Sequence, residues 1–272
     1  MDCFVLTTCQ RKGGVGRSTL LYNLAGSMAK RRLRVLLSDG DPQASLTQIC
    51  LGPEAVDTLH PSRTIVELLR ENYFGSPQDV IVDTGIPGVN LIPGSNDLSR
   101  FNHPEPEKTG ELQNSLKEAL DLVRPDFDVI LCDTPPSLET LAWLPAVAAD
   151  FALTPSQPTL LALQELVHAE RFLDRVRQSC NPRLVWTGVA LTMVQRAEIH
   201  KQYAASLRET YGALVLDSPI PSSIIYQEGA AAGKPMSHWK PKTAGAKAVD
   251  SLAVEILGRV AACQSSKLRE VA

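Results

Sequence analysis

The sequence contains no apolar run that would cross a membrane. A spanning helix needs about 20 consecutive apolar residues, and the uninterrupted apolar stretches in these 272 residues are far shorter. Internal repeats and low-complexity linkers are also missing, and the 17 Gly and 19 Pro residues are spread along the chain. These absences exclude membrane-spanning, collagen-like and wholly disordered proteins. With 44% hydrophobic residues, we expect one domain over residues 1–263 and a frayed tail over residues 264–272.

Cysteine pairs of the C-x-x-C type are absent as well. The six cysteines are scattered, and no charged, apolar leader precedes them, so we expect reduced thiols and a cytoplasmic protein. The five histidines fall in no paired-ligand spacing, which argues against a dedicated transition-metal site. The scattered cysteines likewise give no support to an iron–sulfur cluster.

The chain has no overall basic excess. It carries 27 Lys and Arg against 30 Asp and Glu, a formal charge of −3, so a contact with nucleic acid would depend on a local patch. Residues 201–272 hold nine basic and six acidic residues, whereas residues 1–200 carry an acidic excess. The carboxy-terminal quarter is therefore where we expect a polyanion-binding surface.

Short β-branched apolar runs alternate with longer segments of helical period along the chain. This alternation predicts an α/β fold with a doubly wound, mostly parallel sheet and helices on both faces. The predicted strands are Cys3–Thr8, Arg34–Asp39, Asn90–Pro93, Phe127–Asp133, Phe151–Pro155, Leu184–Leu191 and Ala213–Leu216. The predicted helices are Ser18–Lys30, Thr64–Asn72, Glu111–Val123, Thr159–Arg177, Lys201–Tyr211 and Thr243–Ala261. The stretches Gly52–Ser62 and Gly94–Gly110, rich in Pro, Asp and Ser, are predicted to be surface loops.

A glycine-rich turn, KGGVGRST at residues 12–19, joins the first strand to the first helix. Glycines let backbone N–H groups converge on an anion, and a helix amino terminus adds unpaired donors and a favourable dipole. The general phosphate-loop pattern G-x-x-x-x-G-K-[ST] is not met, because Arg11 stands at its first glycine and Arg17 at its lysine. A glycine-rich turn without a ligand therefore remains an alternative on the loop alone.

Acidic residues follow two of the buried strands. The segment DGDPQ contains Asp39 and Asp41, and DTPPSL begins with Asp133. The carboxyl ends of parallel strands meet at one edge of a doubly wound sheet, so we expect these carboxylates beside the glycine-rich turn. A single Asp at a strand end is usually a cap or turn former, but three of them beside a phosphate loop favour Mg²⁺.

These motifs together resemble the ParA/MinD family of deviant-Walker P-loop ATPases, and its ParA branch in particular. The family motifs appear here as KGGVGRST, DGDPQ and DTPPSL. IPGSNDL at residues 92–98 and IPSSIIYQEGAAAGKPMSHWKPKTAGAKA at residues 220–248 are also similar to family segments. The resemblance covers nearly the whole chain in order. It implies a cytoplasmic, nucleoid-associated ATP hydrolase that forms an ATP-bound sandwich homodimer and binds non-specific DNA. It also implies a ParB-like or cargo adaptor that stimulates slow hydrolysis.

The resemblance also implies roles for individual residues. The residues expected to bind ATP are Lys12, Gly13, Gly14, Val15, Gly16, Arg17, Ser18 and Thr19. Lys12 would be the signature lysine that reaches the partner's phosphates, and Asp41 would position or activate the attacking water. Ser18, Asp39 and Asp133 would act around Mg²⁺. Hydrolysis would then separate the dimer and release the DNA or other large cargo.

Two departures from the family pattern leave alternatives open. Arg17 replaces the lysine beside the β- and γ-phosphates, and a planar guanidinium keeps the charge but not the shape of an ammonium. The alternative function is therefore a nucleotide-binding, nearly non-hydrolysing scaffold or regulator. A membrane-surface role of the MinD kind is disfavoured, because residues 263–272 hold no aromatic side chain and few large aliphatic ones.

The second departure concerns DNA. Relatives often carry arginine after the Ile-Pro pair, where this chain has Ser222 and Ser223. Four lysines nearby are the expected DNA-binding residues: Lys234, Lys240, Lys242 and Lys247. They would act by counterion release along a basic surface. An ordinary solvated face is the alternative explanation of the same charges.

Overall fold

The computed structural model describes residues 2–70 and 75–271, with side chains described as far as residue 266. Seven strands in this part of the chain form one sheet. They are β1 Phe4–Thr8, β2 Val35–Asp39, β3 Val82–Asp83, β4 Val89–Ile92, β5 Val129–Asp133, β6 Phe151–Ser156 and β7 Val185–Leu191. The predicted α/β class is confirmed.

The strand order across the sheet is β3-β4-β2-β5-β1-β6-β7. All neighbouring strands are parallel except β3, which pairs antiparallel with β4 at the edge. The central strands β1, β2 and β5 are buried along their whole length, as expected of parallel strands covered on both faces. Their carboxyl ends meet at one edge of the sheet, which is where doubly wound folds bind ligands.

Helices cover both faces of this sheet, as predicted. They are α1 Arg17–Lys30, α2 Ser45–Leu51, α3 Ala55–Thr58, α4 Ile65–Leu68, α5 Leu112–Val123, α6 Thr140–Ala148, α7 Ala162–Ser179, α8 Glu198–Tyr211, α9 Ile225–Ala231, α10 Met236–Trp239 and α11 Ala244–Val271. One apolar core lies between the sheet and α4 to α8. The other lies between the sheet and α1, α2, α9, α10 and α11. No helix in the described part of the chain is long and apolar enough to cross a membrane.

The prediction of a strand at Ala213–Leu216 was wrong. Residues Gly212–Leu214 form a 3₁₀ turn, and Val215 makes one isolated bridge to Val189 of β7. Gly212 has a φ of 53°, in the left-handed region, and it turns the chain at the end of α8. After this turn, the segment pairs with the sheet through Val215 only. The apolar composition of the segment was therefore overridden by the turn beside it.

Other differences concern elements that were not predicted and helices whose ends differ from the prediction. Helix α6 was not predicted, because all of its residues are buried and such a helix shows no alternation of polar and apolar positions. The short strand β3 and the helix α2 were not predicted either. Helix α11 continues to Val271, past the predicted end at Ala261. The helix predicted over Thr64–Asn72 is shorter in the structure, where α4 ends at Leu68; residues 71 and 72 lie outside the described residues.

Candidate functional site

The glycine-rich loop leaves an open, donor-rich space in front of α1. Gly14 and Gly16 have φ values of 72° and 81°, which side chains with a Cβ rarely adopt. A Cβ at either position would meet no heavy atom within 4 Å, so backbone conformation rather than crowding requires these glycines. No side chain caps the first turn of α1. The amino terminus of this 14-residue helix therefore keeps its N–H donors for an anion.

Arg17 folds back into the loop instead of reaching out of it. Its Nη1 donates hydrogen bonds to the carbonyl oxygens of Gln10, at 3.1 Å, and Lys12, at 3.0 Å. The side chain is buried, and its Nε has no hydrogen-bond partner among the described residues. Burial lowers the pKa of this guanidinium, while the charges of Asp133 and Asp41 oppose that effect. Arg17 thus presents an unused donor inside the loop.

Lys12 points in a different direction from Arg17. Its Nζ donates a hydrogen bond of 3.3 Å to Thr159 Oγ1, just before α7. Its backbone N–H is held by Gln10 Oε1 at 3.3 Å. Within the part of the chain that the structure describes, Lys12 forms no ion pair with a carboxylate. Its ammonium charge is therefore held by a neutral hydroxyl and stays available to an external anion.

Ser18 and Asp133 join the loop to the central sheet. Ser18 Oγ donates a hydrogen bond of 2.5 Å to Asp133 Oδ2, although the two residues are 115 positions apart in sequence. Asp133 also accepts the N–H of Thr134 at 3.0 Å. In the register of β2 and β5, Asp133 stands opposite Asp39. The predicted convergence of the loop and the strand-end carboxylates at one edge is therefore what the structure shows.

Thr47 is a site residue that sequence reasoning missed. Its N–H and hydroxyl donate to Asp39 Oδ2 at 2.8 and 2.7 Å, and the N–H of Gly94 donates to Thr47 Oγ1 at 2.8 Å. A Cβ on Gly94 would lie 2.9 Å from Asp39 Cγ. The Gly of IPGSNDL was a signal for this close approach, whereas no motif marked Thr47.

Asp41 lies at the rim of the same cluster. Its Oδ1 accepts the N–H of Gln43 at 2.9 Å, which closes a turn between β2 and α2. The side chain is buried, and burial raises its pKa, while the Gln43 bond and the charge of Arg17 act in the opposite direction. A carboxylate with a raised pKa is a better proton acceptor near neutral pH than an exposed one.

Burial and the charge of a neighbouring carboxylate, Asp133 for Asp39 and Asp41 for Asp133, raise the pKa values of the two central carboxyls. Burial raises the pKa of Asp39 to about 7, with a further contribution from the charge of Asp133. Burial also raises the pKa of Asp133 to about 6, against the opposing hydrogen bond from Ser18 and the charge of Arg17. Two buried carboxylates facing one another favour a bound cation, because a cation removes both the desolvation penalty and the repulsion.

The donor set fits a hard cation that keeps part of its water shell. Among the described residues, no three His, Cys, Asp or Glu side chains form a cluster that could hold a metal. Mg²⁺ is commonly bound by one or two carboxylates together with waters and phosphate oxygens. Ser18, Asp39 and Asp133 supply a hydroxyl and two carboxylates beside the anion-binding loop, so these residues fit magnesium and a polyphosphate together.

The four predicted DNA-binding lysines lie away from this cluster in sequence, between α9 and the first turns of α11. Lys234, Lys240, Lys242 and Lys247 are all exposed. Lys240 is partly engaged, because its Nζ lies 3.3 Å from Glu228 Oε2 and 3.9 Å from the ring centre of Trp239. Ser222 and Ser223 are exposed as well.

The chain is similar to several known proteins over most of its length. A family model described as an AAA domain matches residues 4–186. The chromosome partitioning protein ParA of Caulobacter vibrioides is 34% identical over 258 residues, covering 94% of each chain. The chromosome-partitioning ATPase Soj of Thermus thermophilus is 32% identical over 257 residues, covering 94% of this chain and 96% of Soj. Cobyrinic acid a,c-diamide synthase of Mycobacterium smegmatis, solved with an ATP analogue and magnesium, has a TM-score of 0.77 at 28% identity and covers 94% of each chain.

Proposed function

The chain belongs to the ParA family of P-loop partition ATPases, and from this premise we propose that it is an ATP-dependent switch that positions DNA or another large cargo. The observation that carries the proposal is the hydrogen bond from Ser18 to Asp133. It joins the anion-binding loop to a buried carboxylate, Asp133, and a bound cation would offset the cost of burying that negative charge. A magnesium–triphosphate complex requires an anion-binding loop and a cation site that lie in direct contact with each other.

The same geometry supports a set of binding residues for this proposal. The backbone of residues 13–16 and the amino terminus of α1 bind phosphate oxygens, and Arg17 adds its buried Nε donor. Ser18, Asp39 and Asp133 hold Mg²⁺ or its water ligands. When bound, Mg²⁺ neutralises charge on the β- and γ-phosphate oxygens. Asp41 orients the attacking water and accepts its proton, since its carboxylate is buried beside the loop.

Lys12 acts on the nucleotide of a partner copy. Its ammonium is held by the neutral Thr159 hydroxyl, so it moves to an anion at small electrostatic cost. A cation supplied in trans to a transferring phosphoryl group contributes on the order of 10³ to 10⁵ in rate for arginine fingers. The sandwich homodimer is therefore the form that hydrolyses ATP. After hydrolysis the two copies separate, and each copy can bind ATP again.

The dimer binds non-specific DNA in the nucleoid and releases it after hydrolysis. Lys234, Lys242 and Lys247 are exposed on a segment with a basic excess, and phosphate contacts by lysine give affinity without sequence preference. Lys240 contributes less, because Glu228 already partly neutralises it. A ParB-like or cargo adaptor stimulates the otherwise slow hydrolysis.

Arg17 supports a second candidate function, a scaffold that binds ATP but scarcely hydrolyses it. Its Nη1 is bonded to two loop carbonyls, so the guanidinium is less free than a lysine ammonium to follow charge that develops on the γ-phosphate. Under this candidate, ATP binding and dimer formation persist while turnover stays near the background rate.

The test is one series with ADP, ATP and a slowly hydrolysed analogue. Mass by light scattering, DNA binding by gel shift and nucleotide binding by calorimetry are compared for the wild type, Lys12→Ala and Asp41→Ala. We expect the wild type to bind MgATP, dimerise and bind DNA, and Asp41→Ala to remain in that state. Tight ATP binding with no measurable turnover would favour the scaffold. A folded wild type that binds no MgATP would contradict both candidates.

A further inference from the structure

A buried amide lies where the chain leaves β1 and enters the glycine-rich loop. It belongs to Gln10, whose exposure is 1%. The Oε1 atom of Gln10 accepts the N–H of Lys12 at 3.3 Å, and its Nε2 donates to the carbonyl oxygen of Pro155, on β6, at 3.2 Å. A buried polar side chain carries a desolvation cost that an apolar one avoids. The two bonds are therefore what the amide contributes at this position.

The bond to Pro155 takes the place of a ladder bond between β1 and β6. The N–H of Cys9 donates to the carbonyl oxygen of Leu153 at 3.0 Å, and continuation of a parallel ladder would next join Arg11 to Pro155. Arg11, however, already lies outside β1, because the chain turns away to form the loop. The side chain of Gln10 supplies the donor instead, so the start of the loop stays tied to β6.

The bond to Lys12 restrains the backbone from which the ammonium extends. Arg17 Nη1 donates to the carbonyl oxygen of Lys12, and Gln10 accepts its N–H, so both peptide groups of Lys12 are held. A lysine side chain is long, and a small rotation of its backbone becomes a large displacement of Nζ. A misplacement of about 1 Å can cost about 10²-fold in rate. The restraint therefore bears directly on where the ammonium arrives.

The backbone of Gln10 has a separate contact that does not depend on the amide. Its carbonyl oxygen accepts a hydrogen bond of 3.1 Å from Arg17 Nη1, and this oxygen is present whatever the side chain at position 10. A substitution of Gln10 thus removes the two amide bonds and leaves the contact with Arg17 in place. The effect of the amide on Lys12 can therefore be measured by itself.

We propose that Gln10 is a positioning residue for Lys12: its amide ties the N–H of Lys12 to β6 and sets the direction in which the ammonium leaves the loop. This inference rests on the proposed function, in which Lys12 acts on the nucleotide of a partner copy. The chain after β6 leads to Thr159, which accepts the hydrogen bond from Lys12 Nζ. The same part of the chain therefore holds both the backbone of Lys12, through Gln10, and its ammonium.

The test uses two variants of Gln10 and a matched control. Gln10→Leu removes both amide bonds at similar side-chain size. Gln10→Asn keeps a buried amide that is one methylene shorter and cannot reach both partners. Thr154→Val is the control, because it removes another buried hydrogen bond of β6, the 3.0 Å bond from Trp186 Nε1 to Thr154 Oγ1, at a residue outside the loop.

The expected result is a loss of turnover without a matching loss of nucleotide affinity. We expect both Gln10 variants to lower kcat at saturating MgATP, Gln10→Leu by at least about tenfold, while the Kd for ATP changes by no more than about threefold. Thr154→Val should lower the temperature of thermal unfolding and keep kcat within about twofold of the wild type. A purely structural role of Gln10 would instead make its variants behave as this control does.

A double-mutant cycle with Lys12→Ala identifies the group through which Gln10 acts. In the Lys12→Ala background, Gln10→Leu should lower kcat by no more than about twofold further, because no ammonium remains to be positioned. The dissociation constant of the dimer, measured by analytical ultracentrifugation with a slowly hydrolysed ATP analogue and Mg²⁺, gives a second readout that needs no turnover. The same non-additivity is expected there, since Lys12 contacts the partner's nucleotide.

The possible outcomes separate the inference from the proposed function. Folded Gln10 variants with wild-type kcat and dimer affinity would overturn the inference, and so would effects that add to those of Lys12→Ala. Failure of both Gln10 variants to fold would also overturn it, because the amide would then serve the fold. If Lys12→Ala changes neither kcat nor dimer affinity, the proposed role of Lys12 itself is contradicted. If Lys12→Ala has its effect and Gln10→Leu has none, the inference alone fails.

Discussion

The Nη1 atom of Arg17 donates a hydrogen bond of 3.0 Å to the carbonyl oxygen of Lys12, so the side chain of Arg17 holds the backbone of Lys12 in place. The same Nη1 atom donates a second hydrogen bond to the carbonyl oxygen of Gln10. Lys12 in turn extends to Thr159 before α7. The two cations of the loop therefore have different tasks: Arg17 stabilises the loop from within, and Lys12 faces outwards.

Replacing Arg17 by lysine should raise the basal rate of ATP hydrolysis by at least about tenfold, corresponding to about 1.4 kcal/mol in the barrier. The physical reason is that a compact ammonium leaves the loop carbonyls more readily than the doubly bonded guanidinium. The measurement is steady-state hydrolysis at saturating MgATP, with Arg63→Lys at an exposed position as the control. A rate that rises little would show that the arginine does not limit turnover.

Replacing Lys12 by alanine should lower kcat by about 10³ or more, while the Kd for ATP changes much less. The ammonium acts mainly on charge that develops in the transition state, and the loop backbone still binds the ground state. Single-turnover hydrolysis and calorimetric titration measure the two quantities separately. Lys108→Ala, at an exposed position, serves as the control. A loss of binding as large as the loss of turnover would count against the role in trans.

The stability of the protein without metal and nucleotide should fall as the pH rises from about 4 to about 7. Asp39 and Asp133 have pKa values of about 7 and about 6 in the folded state, above the value of an unfolded aspartate. The folded state therefore retains protons that the unfolded chain has released, and its free energy of unfolding decreases with pH in that interval.

Urea unfolding in EDTA at several pH values measures this decrease. We expect a loss of about 1 kcal/mol or more across the interval, and a smaller slope when MgATP is present or when Asp133 is replaced by asparagine. A free energy of unfolding that increases with pH under these conditions would contradict the prediction.

Replacing Gly94 by alanine should destabilise the fold by about 1 to 3 kcal/mol and weaken MgATP binding. The new Cβ would lie 2.9 Å from Asp39 Cγ and 3.0 Å from its backbone oxygen, so the carboxylate would have to move. Gly258→Ala in α11 is the matched control, since a Cβ there meets nothing within 4 Å and helix propensity favours alanine. Thermal unfolding and calorimetry check both variants, and equal behaviour of the two would refute the argument.

Replacing Lys242 or Lys247 by alanine should weaken DNA binding equally across sequences and reduce the slope of log K against log salt by about 1 for each lysine. Lys240→Ala should have a smaller effect, because Lys240 already pairs with Glu228. Fluorescence anisotropy at several salt concentrations measures the slope, with Lys117→Ala on α5 as the control. Binding that is independent of salt would exclude this surface.

The fold and most of the candidate site could be predicted from short stretches of sequence. The strand ends at Asp39 and Asp133 and the turn KGGVGRST follow from local composition, because buried strands read as apolar runs and glycine marks a left-handed turn. The motif residues then converge because parallel strands end at one edge of the sheet. Helix α6 was not predictable in this way, since burial on every side removes the period on which the prediction depends.

The sequence by itself determined the class of fold, the loop and the acidic strand ends, since each depends on residues that are neighbours along the chain. Tertiary structure alone decided which side chains meet: Lys12 with Thr159 across 147 positions, Ser18 with Asp133 across 115, and Thr47 with Asp39. It also decided that Ala213–Leu216 turns away after one bridge. These contacts depend on how the helices pack on the sheet, and packing is set by the summed burial of many distant residues rather than by any local pattern.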